Sequence, residues 1–560
     1  MYFLTVIFIV LFSIQACICD DRGPEVETPL GIIRGTVETS VEGNPYSSFE
    51  GIPFAKPPVG ELRFEEPVPI EPWLGVWNAT NTHICLQTNL KGDLPILGTE
   101  DCLYLNVYVP GKTIDVNQSY PVNVHFHGGG FMMGSGDMMA NSQFLMDSKN
   151  IILVSVNYRL SAFGFLSTED EEIPGNNGMK DQVLALKWVR DNIRFFGGDS
   201  KAVTLTGYSA GGASVHLHYL SPLSRGLFAK GISHSGTAIN PWVIKENPLV
   251  FAKRLADDVG CSISSTKQIK ECLKTRPATV IIDKIRYYLE FGHMPFSPFA
   301  VVIDDKSKNP FLPEHPYDLM KNKKVFDAPW IASVTRDEGI LPAGYYCEDK
   351  VLEEINKNFL EKAQLLLDYN YTLPMGKRSK VATQLKEYYF GKGKDINQQN
   401  FYRLVELFSH RLFTIGVEIA TKLQSEAMES PVYFYYFNYD KSSNKVSKYF
   451  CNTKNIGGVS HCDDTVFAYG FYVLNAFSES DKKMRKNFKR LIETFITEDE
   501  PSFDENIKWM PTKGNELTYL NITDSDDIRL LKTTSLYPES VWADVNNAEL
   551  YHMKSYSDEL

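Results

Sequence analysis

The sequence predicts an α/β fold, with a large, mostly parallel central sheet covered by helices on both faces. Three observations carry this. Short apolar runs alternate with stretches that read as helices, the order that produces parallel strands joined by crossovers. One of the runs, residues 151–158, is apolar but for Ser155 and Asn157, as suits a strand buried on both faces. Several of the runs end in glycine-rich or acidic segments, which fits an α/β sheet that collects its chemistry at the carboxyl ends of its strands.

The elements follow in order. Residues 30–35 read as the first strand of a hairpin. Residues 49–55 and 57–64 are rich in glycine and proline, so ordered loops over a sheet edge are expected. Leu103, Leu105, Val107 and Val109 alternate with polar or aromatic residues, predicting a strand over 101–110. A strand over 122–126 runs into His127-Gly128-Gly129-Gly130-Phe131. Residues 175–178 cap a helix that continues through Val189, and 195–199 turn the chain into a short strand over 202–205. A helix is expected over 210–219. Later strands are predicted at 227–235, at 331–335 and at 432–437; the second ends in Arg336-Asp337-Glu338-Gly339. Beyond the third, a glycine-flanked loop carries His461.

Between the 202–205 strand and the following helix stands Gly207-Tyr208-Ser209-Ala210-Gly211. A serine at such a turn is held in a strained conformation, and the flanking glycines permit close helix–strand approach. The pattern alone is weak, since glycine and serine are common enough to produce it by chance. Its context strengthens it. Three glycines after a strand let bare amides face a ligand, as oxyanion loops do. The amides of Gly129 and Gly130, with that of Ala210, are the expected donors. His125 and His127 share a strand face, but no further ligand cluster accompanies them, so a metal site is not expected there.

The chain has 560 residues and a formal charge of −12, which argues against nucleic acid and anionic membranes as partners. No linker, repeat or low-complexity tract divides it, so residues 20–556 are expected to form a single domain. Residues 2–19 are almost wholly apolar and read as a signal peptide cleaved after Cys19, although no Lys or Arg precedes the run. An uncleaved anchor is the competing reading; no other window is long and apolar enough to span a bilayer. Of the nine cysteines, Cys17 and Cys19 would leave with the signal. Cys85 with Cys102, and Cys261 with Cys272, could close short loops in an oxidising compartment, leaving Cys347, Cys451 and Cys462 with at least one thiol unpaired. Sequons stand at Asn78, Asn117, Asn370 and Asn521. Residues 557–560, Ser-Asp-Glu-Leu, are a variant of the tail read by the retention receptor, favouring the endoplasmic reticulum lumen with secretion as the alternative. The charge run 481–486 is expected on a solvated helix face.

Together these motifs resemble the type B carboxylesterases of the α/β-hydrolase fold, the group that includes cholinesterases. The most specific pieces are Glu100-Asp101-Cys102-Leu103-Tyr104-Leu105-Asn106, the His-Gly-Gly-Gly-Phe loop, Asn157-Tyr158-Arg159, the serine elbow and Asp337-Glu338-Gly339. Within the group the chain is most similar to insect carboxylesterases of the detoxifying α-esterase kind. The resemblance implies disulfides Cys85–Cys102 and Cys261–Cys272. It also implies a triad in the order Ser209, Glu338, His461. The acid directly before glycine is Glu338, which sets Asp337 aside. His410 sits in an amphipathic stretch and His552 in the tail, and both are read as structural or peripheral. Met132, Met133, Trp242, Phe296 and Phe299 are the implied substrate-pocket residues, each of which could equally be core. No cofactor is required.

Departures from the family pattern refine this. The segment 86–101 contains no Trp, so a quaternary ammonium substrate is not expected. Position 208 is Tyr, where many relatives carry Glu and juvenile hormone esterases carry Gln. Gly129 and Gly130 are intact, so an organophosphate would phosphorylate Ser209 and leave slowly. The expected activity is broad-specificity hydrolysis of xenobiotic or lipid esters. The alternatives are a hormone or odorant esterase and, from another class, a neuroligin-like binding protein.

Overall fold

The computed structural model describes residues 23–88, 95–138, 141–291, 294–451, 456–471, 473, 475–498 and 500–547. The signal peptide, the Ser-Asp-Glu-Leu tail and His552 lie outside the described residues. In chain order the strands are β1 (Glu25–Thr28), β2 (Gly31–Arg34), β3 (Thr36–Thr39), β4 (Pro45–Pro53), β5 (Val76–Asn78), β6 (Tyr104–Pro110), β7 (Tyr120–Phe126), β8 (Ile152–Val156), β9 (Gly198–Tyr208), β10 (Lys230–His234), β11 (Trp330–Thr335), β12 (Val432–Phe437), β13 (Leu517–Ile522) and β14 (Ile528–Thr533).

Strands β1, β2 and β5 form a small separate sheet. The other 11 form one sheet in the order β14-β13-β12-β11-β10-β9-β7-β8-β6-β4-β3. From β8 through β7, β9, β10, β11 and β12 to β13 all neighbours are parallel. Both flanks are antiparallel. The predicted parallel centre is therefore present, inside antiparallel margins.

Alternation along each strand sorts its side chains between the two faces. In β12, Val432 and Phe434 enter the larger core, while Tyr433, Tyr435 and Phe437 enter the second. The helix Ala210–Leu220 supplies Ala213, Val215 and Leu217 to the first. The helix Glu479–Thr497 supplies Met484, Phe488, Leu491 and Phe495 to the other. Each central strand is thus covered twice, which is why its run is apolar.

Three expectations change. Residues 49–55 are not a loop: β4 pairs with β3 and β6, and a register shift between Phe49 and Ile52 accommodates Gly51 at φ +79°. The glycine and proline there mark a bulge and a strand end. Strand β6 is buried along nearly its whole length rather than on one face, because Leu105, Val107 and Val109 enter the larger core while Tyr108, on the other face, packs in a small cluster with Tyr46, Met146 and Leu153. In the 481–486 run, Lys482, Lys483 and Lys486 are exposed, but Asp481 and Met484 are buried. Asp481 closes a capping box with Ser478, so that charge belongs to the helix start.

Phe488 stands at the centre of this second core, with rings of Tyr435, Phe437, Phe467 and Phe503 within about 6 Å. Phe488→Ala is expected to lower stability by about 3–5 kcal/mol. Urea unfolding should show the loss as a lower midpoint, with activity retained in the protein that remains folded.

Candidate active site

The end of β9 fixes the site. Ser209 leaves the strand at φ +56° and ψ −126°, a conformation that L residues rarely adopt. The crossing is tight enough to exclude side chains. A Cβ on Gly211 would lie 2.1 Å from the Phe126 carbonyl oxygen, and one on Gly207 would lie 2.5 Å from Gly211. The Ser209 amide donates to the His234 carbonyl at 2.8 Å, and its own carbonyl accepts from Ala213 at 2.9 Å. The serine is 95% buried, at 5% exposure, and heads the helix Ala210–Leu220.

The glycine loop follows β7 on the same edge. Gly129 and Gly130 have φ +104° and +62°. The Gly129 carbonyl accepts from the amides of Met132 and Met133 at 3.0 and 3.1 Å. The Gly130 carbonyl accepts from Ser297 Oγ at 2.8 Å. The Tyr158 hydroxyl donates to the His127 carbonyl at 2.8 Å, and the two rings stack at 4.3 Å. The loop is thus held by its carbonyls, which leaves its amides free to donate to a ligand. Among the described residues, no hydrogen bond uses the amides of Gly129, Gly130 or Ala210.

Glu338 lies just past β11 and is fully buried. One of its oxygens accepts from the Thr335 amide at 2.7 Å and from Ser235 Oγ at 2.5 Å. The other meets His461 Nδ1 at 2.5 Å. That contact holds the proton on Nδ1 and leaves a lone pair on Nε2. Among the described residues, buried His461 Nε2 forms no hydrogen bond, with Ser209 or with any other group. An imidazole with one nitrogen held by a carboxylate and the other unengaged can accept a proton from a group brought within hydrogen-bond reach.

Behind these groups runs a buried polar network that the sequence reading did not foresee. His234 Nδ1 lies 2.5 Å from the Tyr435 hydroxyl, and Nε2 lies 2.8 Å from that of Tyr469. Tyr435 donates to Asp464 at 2.6 Å. Burial pushes the Asp464 carboxyl up, but contacts with His234 and Tyr435 outweigh it and hold the group below the ordinary carboxylate value. Nothing in the one-dimensional pattern links residues 234, 435, 464 and 469. The parallel register across β11 aligns His234 with Tyr435, and the short helix Thr465–Ala468 carries Asp464 and Tyr469 at its two ends.

The pocket residues divide. Trp242 packs against Phe131, Phe296 and Phe413, and its indole N–H donates to the Leu412 carbonyl at 2.8 Å. The Phe413 ring lies 4.5 Å from that of His461. Trp242 and Phe296 therefore belong to an aromatic wall that reaches the imidazole, and Phe413 is the member the sequence reading missed. It sits in a π-helical turn, His410–Thr414, inside what reads as an ordinary amphipathic helix. Met132 is buried beside the loop, and Met133 is half-buried against the second core. Phe299 is not brought to this wall; it packs against Phe251 and Tyr288. His410 bonds to the Tyr389 hydroxyl at 2.7 Å, a structural role. His125 Nδ1 bonds to Thr206 and His127 Nδ1 to the Gly128 carbonyl. Tyr208 is buried among Tyr469, Phe471 and His125.

Both implied disulfides are formed, Cys85–Cys102 and Cys261–Cys272. A third, Cys347–Cys451, settles the cysteines left over and makes Cys462 the buried free thiol among the described residues. Asn78 and Asn117 are exposed; Asn370 and Asn521 are half-buried, the latter within β13.

The Carboxylesterase family description matches residues 22–537. The chain belongs to that family. It is 37% identical to venom carboxylesterase-6 of Apis mellifera over 97% of this chain and 98% of that one. It is 36% identical to esterase FE4 of Myzus persicae, over 95% and 94%. It is 37% identical to a juvenile hormone esterase of Tribolium castaneum, over 90% and 89%. Among solved structures, juvenile hormone esterase from Manduca sexta with OTFP covalently attached aligns with a TM-score of 0.81 at 26% identity, covering 93% of this chain and 99% of that one. As a carboxylesterase, this chain is an α/β-hydrolase that cleaves carboxylic esters. Among the described residues, no helix is long and apolar enough to cross a membrane.

Burial also sets the acid sensitivity of the carboxylesterase fold. It lowers His125 and His218 to about 3, and His127, His216, His315 and His410 to about 4. The unfolded chain protonates such rings below about pH 6.5, whereas the folded chain keeps them neutral. Their contribution is therefore intact above about 6.5 and is lost as pH falls toward 4. Asp463, pushed up to about 8 by burial, binds a proton in the opposite sense and offsets only about one of these groups. The urea midpoint is expected to fall steadily between about pH 6.5 and pH 4.

Proposed function

We propose that Ser209, Glu338 and His461 form the catalytic triad, with the amides of Gly129, Gly130 and Ala210 as the oxyanion hole. The observation that carries this is the buried Glu338–His461 contact at 2.5 Å, which leaves Nε2 free on the sheet edge that bears the strained serine. His461 Nε2 takes the Ser209 proton as Oγ attacks the ester carbonyl. The three amides stabilise the oxyanion, each such donor contributing about 2.7–4 kcal/mol in comparable sites. The proton passes to the leaving alcohol, and an acyl group remains on Ser209. Water, deprotonated by His461, releases the acid. Glu338 orients the imidazole and stabilises its cation.

In this reading the physiological role is broad-specificity hydrolysis of xenobiotic or lipid esters. Trp242, Phe296 and Phe413 offer an apolar wall to the acyl group, with Met132 and Met133 beside the glycine loop. Organophosphates would phosphorylate Ser209 and leave slowly, since positions 129 and 130 are glycines and offer no acidic side chain to activate water against phosphorus. A hormone-esterase reading draws on the resemblance to two juvenile hormone esterases. Selectivity for one long-chain ester over short aryl esters would favour it. The chain would enter the secretory route by residues 1–19 and be retained in the endoplasmic reticulum lumen by residues 557–560. Asn78 and Asn117, being exposed, are the better glycan acceptors.

The deciding assay is hydrolysis of naphthyl and p-nitrophenyl acetate and butyrate by protein lacking residues 1–19. Wild type should turn over rapidly. Ser209→Ala and His461→Ala should each lose at least about 10³-fold in kcat. Undiminished turnover by Ser209→Ala would remove the triad assignment, and absence of any burst or turnover in wild type would favour the binding-protein alternative. Separately, removing residues 557–560 should move the protein from the cell lysate to the medium; unchanged partitioning would count against receptor-mediated retention.

A further inference from the structure

The connection from β12 to His461 is long, and its only regular element among the described residues is a short 3₁₀ turn, Val446–Tyr449. A histidine on such a stretch needs tethers, because no strand or helix fixes its height above the sheet. Several are visible. Asp337 pairs with Val459 in both directions: its amide donates to the Val459 carbonyl at 2.9 Å, and its carboxylate accepts from the Val459 amide at 2.8 Å. Asp463 accepts from the amides of Ser460 and Val446, each at 2.7 Å. Tyr402 donates to the Gly457 carbonyl, and Lys445 to that of Gly458 at 3.1 Å.

One tether is covalent. Cys347 stands just beyond the short helix Ile340–Gly344 that follows Glu338. Cys451 stands on the histidine connection, ten residues before His461. Their disulfide spans a sequence separation of 104, against 17 and 11 for the other two. The packing around it is close. A Cβ on Gly344 would lie 2.5 Å from Phe450 Cβ, and the Tyr345 and Phe450 rings lie 6.2 Å apart. The Cys347 carbonyl is itself held by Gln398 Nε2 at 2.7 Å.

The path therefore closes on itself. From Glu338 the chain reaches Cys347, crosses the disulfide to Cys451, runs to His461, and returns to Glu338 through the 2.5 Å hydrogen bond. We propose that Cys347–Cys451 is a positioning clamp for the acid–base pair, holding the histidine-bearing connection against the acid-bearing one. The other two disulfides serve their local loops and touch neither segment. The inference rests on the triad reading. A displacement of about 1 Å in a reacting group is enough to cost about a hundredfold in rate.

The test compares Cys347→Ser/Cys451→Ser with Cys261→Ser/Cys272→Ser and His461→Ala, using p-nitrophenyl butyrate well below the unfolding temperature. The clamp variant is expected to lose about tenfold or more in kcat with KM changed by less than about twofold. Its rate of labelling by a fluorophosphonate should fall in parallel, because the same base activates Ser209. The Cys261/Cys272 variant should unfold at lower temperature yet keep its kcat. Unchanged kcat in a folded clamp variant, or an equal fall in the Cys261/Cys272 variant, overturns the proposal. Should the double variant not fold, native enzyme is treated with dithiothreitol, whose two electrons and two protons convert each disulfide to two thiols, and alkylation is mapped by mass spectrometry. Activity lost in step with modification of Cys347 and Cys451, and recovered on reoxidation when alkylation is withheld, supports the clamp; full activity with both alkylated overturns it. Full activity in His461→Ala would instead bring down the triad reading, whereas an inactive His461→Ala beside an unimpaired clamp variant would bring down the clamp alone.

Discussion

The close crossing at the end of β9 is the constraint on which the rest depends. Strand and helix approach so nearly that backbone stands against backbone, with Gly207 and Gly211 facing each other and the Phe126 carbonyl. This approach forces Ser209 to a positive φ and points the start of the following helix toward the site. It also fixes where the other groups must be. The parallel register of β7, β9, β10 and β11 puts the glycine loop, Ser209, Ser235 and Glu338 on one edge. A one-residue slip in any of these strands would invert its faces and carry its contribution away.

A fully buried carboxylate is costly unless its oxygens are satisfied. Glu338 meets that requirement with the Thr335 amide, the Ser235 hydroxyl and the His461 imidazole. The network behind it meets the requirement for one oxygen of Asp464, which draws on Tyr435 and His234, while the other oxygen forms no hydrogen bond among the described residues. Polar groups at this depth work as fixed dipoles rather than as solvent, which suits a reaction in which charge appears briefly on one oxygen and one ring.

Much of this was legible in the sequence, and the boundary of legibility has a physical origin. The parallel centre, the serine elbow, the glycine loop and the acid before glycine are local patterns, because each depends on residues adjacent in the chain. The family pattern separates Glu338 from Asp337; in the structure Glu338 meets the imidazole, while Asp337 pairs with Arg336 and the Val459 amide. What escaped was set by packing. Gly51 and Pro53 look like loop punctuation until a bulged strand accounts for them. Phe413 is hidden because a π-turn rotates one aromatic out of an otherwise helical stripe. Phe299 shares its composition with Phe296 but points into a different cluster, and no periodicity distinguishes them. Cys347 and Cys451 could not be paired by arithmetic, since a separation of 104 is invisible without the fold.

That third pairing bears on how such a site can be assembled from distant parts. Ser209 and the glycine loop are attached to strands on short leads, and their positions follow from the sheet. His461 is different, for it hangs on a long connection and must meet Glu338 to within a few tenths of an ångström for the charge-assisted bond to form. Hydrogen bonds between Asp337 and Val459 tie the connection to the residue before Glu338, and Asp463 ties Ser460 to Val446. A covalent link farther out, at the point where the acid-bearing segment turns away, constrains the remaining freedom without crowding the reacting atoms. The pair's geometry then depends on a closed ring of chain rather than on the sheet alone.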